Sequence, residues 1–250
     1  MAGHSHSANI ARRKNAVDAK RGKEFSKLAR AIISAARQGG PDQDANLKLK
    51  YAIEKAKAGN MPKDTIERAV ARGSGTKEGD EFEELTYEGY APGGVALMIS
   101  CLTDNRNRTA PDIKYIFDRA NGNLGAPGSV AYMFDQRSVF VVRCGERDED
   151  AMVELTLEVG AEDAEIDDDV AVLYADAREF IAVKAAIEAA GLEFLSAEVA
   201  YVPNNRVPVE SKEDAAKVLK LIEALEDNDD VQNVWANYDM PPEWAEELSQ

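Results

Sequence analysis

The chain has 250 residues and a mass of 27.3 kDa; it is 44% hydrophobic, 30% charged and 7% aromatic, with 17 Gly and 9 Pro, which suits one to three folded domains and excludes a wholly disordered chain. No apolar run approaches the roughly 20 residues of a membrane-spanning helix, Met1–Ser5 lacks the apolar stretch of a secretion signal, and the two cysteines, Cys101 and Cys144, have no CxxC spacing; a soluble cytoplasmic chain without a disulfide framework is expected. The net charge of −16 is divided unevenly, since residues 1–77 hold 17 Lys and Arg against 7 Asp and Glu, net +10, while residues 78–250 hold 13 against 39, net −26.

Such asymmetry marks a polyanion-binding module carried by an acidic body. The basic part opens with Asn9-Ile10-Ala11-Arg12-Arg13-Lys14 and continues to Lys20-Arg21-Gly22-Lys23, with six Lys or Arg between positions 12 and 23 against the single acid Asp18. It has too little apolar surface to order itself by burial, so a mobile arm that settles on phosphates is expected. From Glu24 to Arg37 the residues Phe25, Leu28, Ala29, Ile32, Ile33 and Ala36 recur on one helical face, and Gly39-Gly40-Pro41 stops the helix. Ala45, Leu49, Ala52, Ile53 and Ala56 repeat the pattern, with Gly59 at the helix end. A third helix is expected with Pro62 in its first turn, Ile66, Ala69 and Val70 inward, and Gly73 as its stop. Three short helices of this kind predict a small bundle.

The acidic part reads as two α+β units. Leu85–Tyr90 and Val95–Leu102 form a hairpin about Ala91-Pro92-Gly93-Gly94. A helix follows with Thr109 as its cap and Ile113, Ile116 and Phe117 on one face, and Gly128–Phe134 returns as a strand. Then come strand 139–143, helix 149–159, strands 164–166 and 170–174, helix 179–190 and strand 194–202, the βαββαβ order of a ferredoxin-like unit. Helix 212–225 and strand 231–238 close the first unit, so that residues 79–135 with 205–240 make one discontinuous domain and 138–203 an insertion in it. The fold class expected is α+β with three domains, an all-α helical bundle over 1–77 and these two.

Chemistry is harder to find than charge. The only histidines, His4 and His6, stand in the N-terminal segment, remote from both cysteines, so no nucleophile and base pair is in view. His4-Ser5-His6 supplies two ligands without support, so no metal site and no cofactor is expected. Asp167-Asp168-Asp169 lies between two strands and reads as a solvated turn. Gly73-Ser74-Gly75 lacks the GxxxxGK pattern of a phosphate loop and reads as a linker. Asp104–Thr109 is the most distinctive polar run; its short side chains suit the free amides of a helix entry, and Arg106 and Arg108 offer secondary contacts to phosphate or to a partner carboxylate.

Several runs together resemble the YebC family. They are Ala2–Ser5, Asp18–Lys23, Lys55-Ala56-Lys57, Asn60–Asp64, Tyr87–Tyr90, Pro92-Gly93-Gly94, Leu102–Thr109, Gly122–Gly125 and Gly128–Asp135. That family is often described as probable transcriptional regulators and includes the mitochondrial translational activator of cytochrome c oxidase. The resemblance implies the same three-domain fold and a non-enzymatic cytoplasmic role in gene expression, either on promoter DNA or on the ribosome, where some members are thought to relieve stalling at proline-rich stretches. It points to His4, Asn9, Arg13, Lys14, Lys20, Arg21 and Lys23 as nucleic-acid contacts, and the basic arm adds Arg12, although Ala11-Arg12 replaces a Lys-His pair more typical of the family. Ser7 stands where the family usually has an aromatic residue, and Lys48 and Lys50 stand where arginine is common, keeping charge without the bidentate fork. The expected partner is nucleic acid, DNA or ribosomal RNA, bound by a monomer with no membrane and no small-molecule substrate involved.

Overall fold

A computed structural model describes residues 21–75, 81–167 and 169–248. Three helices come first, α1 (Arg21–Gly39), α2 (Leu47–Ala58) and α3 (Lys63–Ser74). Their core is built from small and branched residues, with Leu28, Ile32, Ile33 and Ala36 of α1 meeting Leu49, Ile53 and Ala56 of α2 and Ile66 and Ala69 of α3. These are the positions the helical period selects.

Details at the helix ends differ from expectation, each for a local reason. The described part of helix α1 starts at Arg21, so the last three residues of the expected arm are helical. At the α1–α2 junction Asn46 serves both helices: its Oδ1 accepts from the Leu49 amide at 3.0 Å, and its Nδ2 donates to the carbonyls of Ala35 at 2.8 Å and Gly40 at 2.9 Å. Gly59 keeps a right-handed φ of −76°; the left-handed residue is Asn60, with φ 58°, and the bonds Asn60 N–H to Lys57 O and Met61 N–H to Ala56 O complete a Schellman end. Pro62 caps α3 from outside the helix. Gly73 does not stop α3 but lies buried within it, where a Cβ would stand 2.5 Å from the Ile33 carbonyl oxygen and 2.8 Å from the Ala36 methyl. The missing side chain is what lets α3 approach α1.

The next strands, β1 (Glu83–Tyr90) and β2 (Ala96–Thr103), form the expected antiparallel hairpin, with Gly93 and Gly94 at φ 82° and 78° in its turn. Helix α4 (Arg106–Arg119) follows, then the two-residue β3 (Asn123–Leu124). The cap of α4 is Asn105, whose side chain accepts from the Arg108 amide, whereas Thr109, the expected cap, is buried in the first turn. Gly128–Met133 is not a strand: three of its amides are taken by a buried carboxylate described below, and residues 131–133 form a 3-10 turn.

Strand β4 (Phe134–Arg143) opens the second sheet as one long strand, starting five residues before the expected one. Helix α5 (Glu149–Glu158), strands β5 (Asp163–Asp167) and β6 (Val170–Asp176), helix α6 (Phe180–Ala189) and strand β7 (Phe194–Pro203) follow. The antiparallel order β5-β6-β4-β7 is the ferredoxin-like arrangement that the βαββαβ alternation predicts. Phe140 sits at its centre, stacked on Phe180 at 5.2 Å between ring centroids and tilted against Phe194 at 6.2 Å.

The chain closes with β8 (Val207–Pro208), α7 (Lys212–Glu226), β9 (Val231–Ala236), β10 (Tyr238–Asp239) and α8 (Pro242–Glu247). Strand β9 returns to β2, giving the sheet β3-β1-β2-β9, and β10 pairs with β8 in a short parallel ladder. The fold is therefore α+β, with helices first and two four-stranded sheets after them. The described residues gather into two compact units, 21–131 with 217–236, and 132–216 with 237–248.

Candidate nucleic-acid interface

In the first unit the basic helix α1 has one apolar face in the bundle and a second face carrying Lys23, Lys27 and Arg30 at i, i+4 and i+7. This basic face is turned toward the end of α7. Lys23 Nζ donates to the Asp227 carbonyl at 3.3 Å, Lys27 Nζ to the Glu226 carbonyl at 2.5 Å, and Arg30 Nη1 to the Asp229 carbonyl at 2.8 Å. The last carbonyls of a helix lack intrahelical partners and carry the negative end of its dipole, so Lys27 completes the final carbonyl of α7, while Lys23 and Arg30 hold the turn that follows it. Gly22, Lys23, Ser26, Lys27, Arg30 and Asp229 line an open groove of about 220 Å³. Burial lowers the Lys27 ammonium from its ordinary value, although Glu226, Asp229 and Asp227 work the other way.

Asp230 is the centre of the site. Its carboxylate, 6% exposed, accepts from Arg108 Nη2 at 2.8 and 3.0 Å, Thr109 Oγ1 at 2.8 Å, Thr103 Oγ1 at 3.2 Å and Arg30 Nη1 at 3.2 Å. Burial alone would raise its pKa; the bonds from Arg108, Thr109 and Thr103 outweigh that and lower it. The same bond to Asp230 raises Arg108. Through Arg30 on one side and Arg108 on the other, this one carboxylate ties the helical bundle to the first sheet. Lys55 donating to Asn233 at 2.9 Å and the ion pair of Lys48 with Glu84 add two further ties.

Of the residues chosen from sequence, His4, Asn9, Arg12, Arg13, Lys14 and Lys20 lie outside the described residues, as does Ser7; Arg21 is placed at the first turn of α1 and Lys23 in the groove. Arg106 and Arg108 are on the first turn of α4, and both are engaged within the chain, Arg106 with Glu83 at 3.3 Å and Arg108 with Asp104 and Asp230. The loop's expected structural role, a helix entry whose Asn satisfies a free amide, is seen at Asn105. Lys27 and Arg30 were not among the chosen residues, although their i, i+4, i+7 spacing with Lys23 is readable. Asp230 had no signal, because its partners stand more than 120 positions away.

A second buried carboxylate explains the Tyr87–Tyr90 run. Glu88 accepts from the amides of Gly128 at 2.6 Å, Val130 at 2.7 Å and Ala131 at 2.9 Å; burial pushes its pKa up, and these three bonds bring it below the ordinary value. Beside it, a Cβ on Gly89 would stand 2.7 Å from the Phe117 ring and from the Asn123 carbonyl, and the Tyr90 hydroxyl donates to the Ser129 carbonyl at 3.0 Å. Tyr87–Tyr90, Gly122–Gly125 and Gly128–Ala131 thus form one packed knot. Cys101 and Cys144 are both buried, and burial pushes the Cys101 thiol up to about 12, far from a reactive thiolate. Among the described residues there is no metal-ligand cluster and no helix long and apolar enough to cross a membrane.

These motifs are matched in known proteins over nearly the whole chain. Residues 5–76 match the TACO1/YebC protein N-terminal domain, and residues 82–238 match the TACO1/YebC second and third domain. The chain belongs to the TACO1/YebC family. Relatives named "Probable transcriptional regulatory protein" include those of Halothermothrix orenii, 48% identical over 100% of both chains, and Aquifex aeolicus, 47% identical over 97% of this chain and 98% of the relative. The crystal structure of a conserved hypothetical protein from Aquifex aeolicus superimposes with a TM-score of 0.80 at 46% identity, covering 90% of this chain and 92% of that one. The two sheets and the leading helices are thus a family architecture; in this chain the Asp230 network links the leading helices to the first sheet.

Proposed function

We propose that this protein is a non-enzymatic, nucleic-acid-binding regulator of gene expression, acting in the cytoplasm as a monomer and holding DNA through phosphate contacts from His4, Asn9, Arg12, Arg13, Lys14, Lys20, Arg21 and Lys23. The observation that carries it is the charge division, net +10 on residues 1–77 against −26 on the rest, in a chain whose family relatives are named as transcriptional regulators. Within this reading residues 1–77, 79–135 with 205–240, and 138–203 act as three domains, the first for binding. Lys27 and Arg30 on the inner face of α1 are committed to the end of α7 and the turn after it, while Lys23 gives one long bond of 3.3 Å to the Asp227 carbonyl and keeps further donors for phosphate, so the phosphate contacts fall to the arm and to the opening turn of α1.

The second reading is ribosomal RNA, with the protein relieving stalling at proline-rich sequences. It is favoured by Asp229, an exposed acid among the residues lining the basic groove, which a long duplex laid along α1 would meet, whereas an arm entering an RNA groove would leave it outside. One experiment separates the two: replace Arg12, Arg13, Lys14 and Lys20 by Gln in the full chain, and compare retention on duplex DNA and on ribosomes over a salt series. With about 4–6 phosphate contacts, the log–log salt slope on duplex DNA is about −0.9 per contact and should shrink by about four contacts' worth in the variant. Loss on promoter DNA supports the first reading and loss on ribosomes the second; equal retention of variant and parent on both overturns the assignment.

A further inference from the structure

Helix α5, in the second unit, buries Met152 and Thr156 on its inner side, yet exposes Leu157 by 70% and Val153 by 50%. These are two of the few large apolar side chains exposed among the described residues, and they stand one turn apart on the same face. At 3.6 residues per turn that face also holds Asp150, Glu154 and Glu158, all exposed. The three carboxylates form an i, i+4, i+8 ladder of like charge, which weakens an isolated helix rather than supporting it. Glu158 is moreover in the last turn, the wrong end of the helix dipole for an acid. Residues 148–163 hold seven Asp and Glu and no Lys or Arg, so no cation within this stretch offsets the ladder. Asp148 has a local use as the helix cap and Glu162 pairs with Arg137; Glu154 and Glu158 have no comparable use.

An apolar pair beside a ladder of carboxylates that costs its own helix stability suits a partner of opposite charge. We propose that the outer face of α5 is a docking surface for a basic amphipathic helix of another protein, whose apolar residues cover Val153 and Leu157 while its Lys and Arg neutralise Asp150, Glu154 and Glu158. Burial of the apolar pair supplies affinity, and the relieved ladder supplies selectivity for a cationic partner. The surface is built from residues of the second unit and the basic groove from residues of the first, with no residue in common.

The test uses the full chain and a synthetic 18-residue helical peptide with Leu at i, i+3, i+4 and i+7 and Lys elsewhere, alongside the same peptide with Glu for Lys. Methyl NMR should show shifts confined to Val153, Leu157 and their neighbours on α5 with the Lys peptide and none with the Glu peptide. Affinity should fall at least about tenfold, some 1.4 kcal/mol, in Leu157→Ser and again in the double variant Glu154→Lys, Glu158→Lys. The double variant removes the ladder and should melt no lower than the parent, so lost binding would not be lost folding. A photo-crosslinker at position 157 in living cells should then join a Lys- and Arg-rich helical segment of another protein. Equal binding of both peptides, shifts away from α5, binding unchanged in both variants, or crosslinks to nucleic acid or to a second copy of the chain would each overturn the proposal. Retention on nucleic acid should be the same in these variants, which keeps this result distinct from the phosphate assignment.

Discussion

The leading helices and the ferredoxin-like sheet each carry charge mainly of one sign, and they dispose of it in opposite ways. On α1 the inner cations are drawn on at home: Lys27 meets the last carbonyl of α7, Lys23 and Arg30 meet carbonyls of the turn after it, and Arg30 shares Asp230 with Arg108. On α5 the carboxylates at 150, 154 and 158 stand in a row beside exposed Val153 and Leu157, with no Lys or Arg in the surrounding stretch. Net charge therefore does not tell how much charge a surface has to offer. A strongly basic helix can be largely committed to its own chain, while a strongly acidic one stays open.

The comparison breaks first at Asp230. Asp230→Ala leaves two guanidinium groups and two threonine hydroxyls without their shared acceptor; a loss of about 3 kcal/mol is expected in urea unfolding, the low end for a broken buried pair because Arg108 is half exposed. A shift under about 0.5 kcal/mol would show that the carboxylate does not join bundle and sheet. Next comes Gly73→Ala, whose methyl would press on the Ile33 carbonyl and Ala36; about 2 kcal/mol should be lost, read as a lower melting temperature, and an unchanged melting point would deny the close approach of α1 and α3.

Glu88→Gln ranks third, at about 1–2 kcal/mol, because an amide oxygen can replace only part of what two carboxylate oxygens accept from three amides. It also carries a pH signature. Glu88 and Asp230 both have folded pKa values below their ordinary ones, so their contribution is fully present above the unfolded values of about 4.3 and 3.9 and fades as pH falls through the lowered folded values. Unfolding midpoints measured from pH 6 down to pH 2 should drop less steeply in Glu88→Gln than in the parent. The smallest effect is Lys27→Ala, about 0.5 kcal/mol, since it removes one cation from the end of α7 while Lys23 and Arg30 remain. Its retention on nucleic acid should stay close to the parent's, in contrast with substitutions in the arm; a loss as large as theirs would return the inner face of α1 to the phosphate site.

Much of the architecture was legible because it rests on local periodicity. The helical faces of Leu28, Ile32 and Ile33, of Leu49 and Ile53, and of Ile66 and Ala69 are spaced for a core whatever they meet. The alternation from β4 to β7 identified the ferredoxin-like order, and the runs around Tyr87–Tyr90 and Gly128–Asp135 carried the family. The misplaced details are those where a residue answers to something distant. Gly73 reads as a helix stop because glycine usually is one, but here its lack of a side chain serves another helix. Gly128–Met133 reads as extended, but Glu88, 40 positions earlier, takes three of its amides. Thr109 reads as a cap because a hydroxyl often is one, and instead it turns inward to a carboxylate 121 positions away.

Composition and spacing alone thus settled the opposition of a basic front and an acidic remainder and most of the helical and extended segments, while the resemblance of particular runs pointed to the family. Which of those charges are spoken for was decided only when the chain folded. Hydrogen bonds and ion pairs act over a few ångströms, and the partners of Asp230, Glu88 and Lys27 come within that range only after α1, α4, α7 and the first sheet have packed.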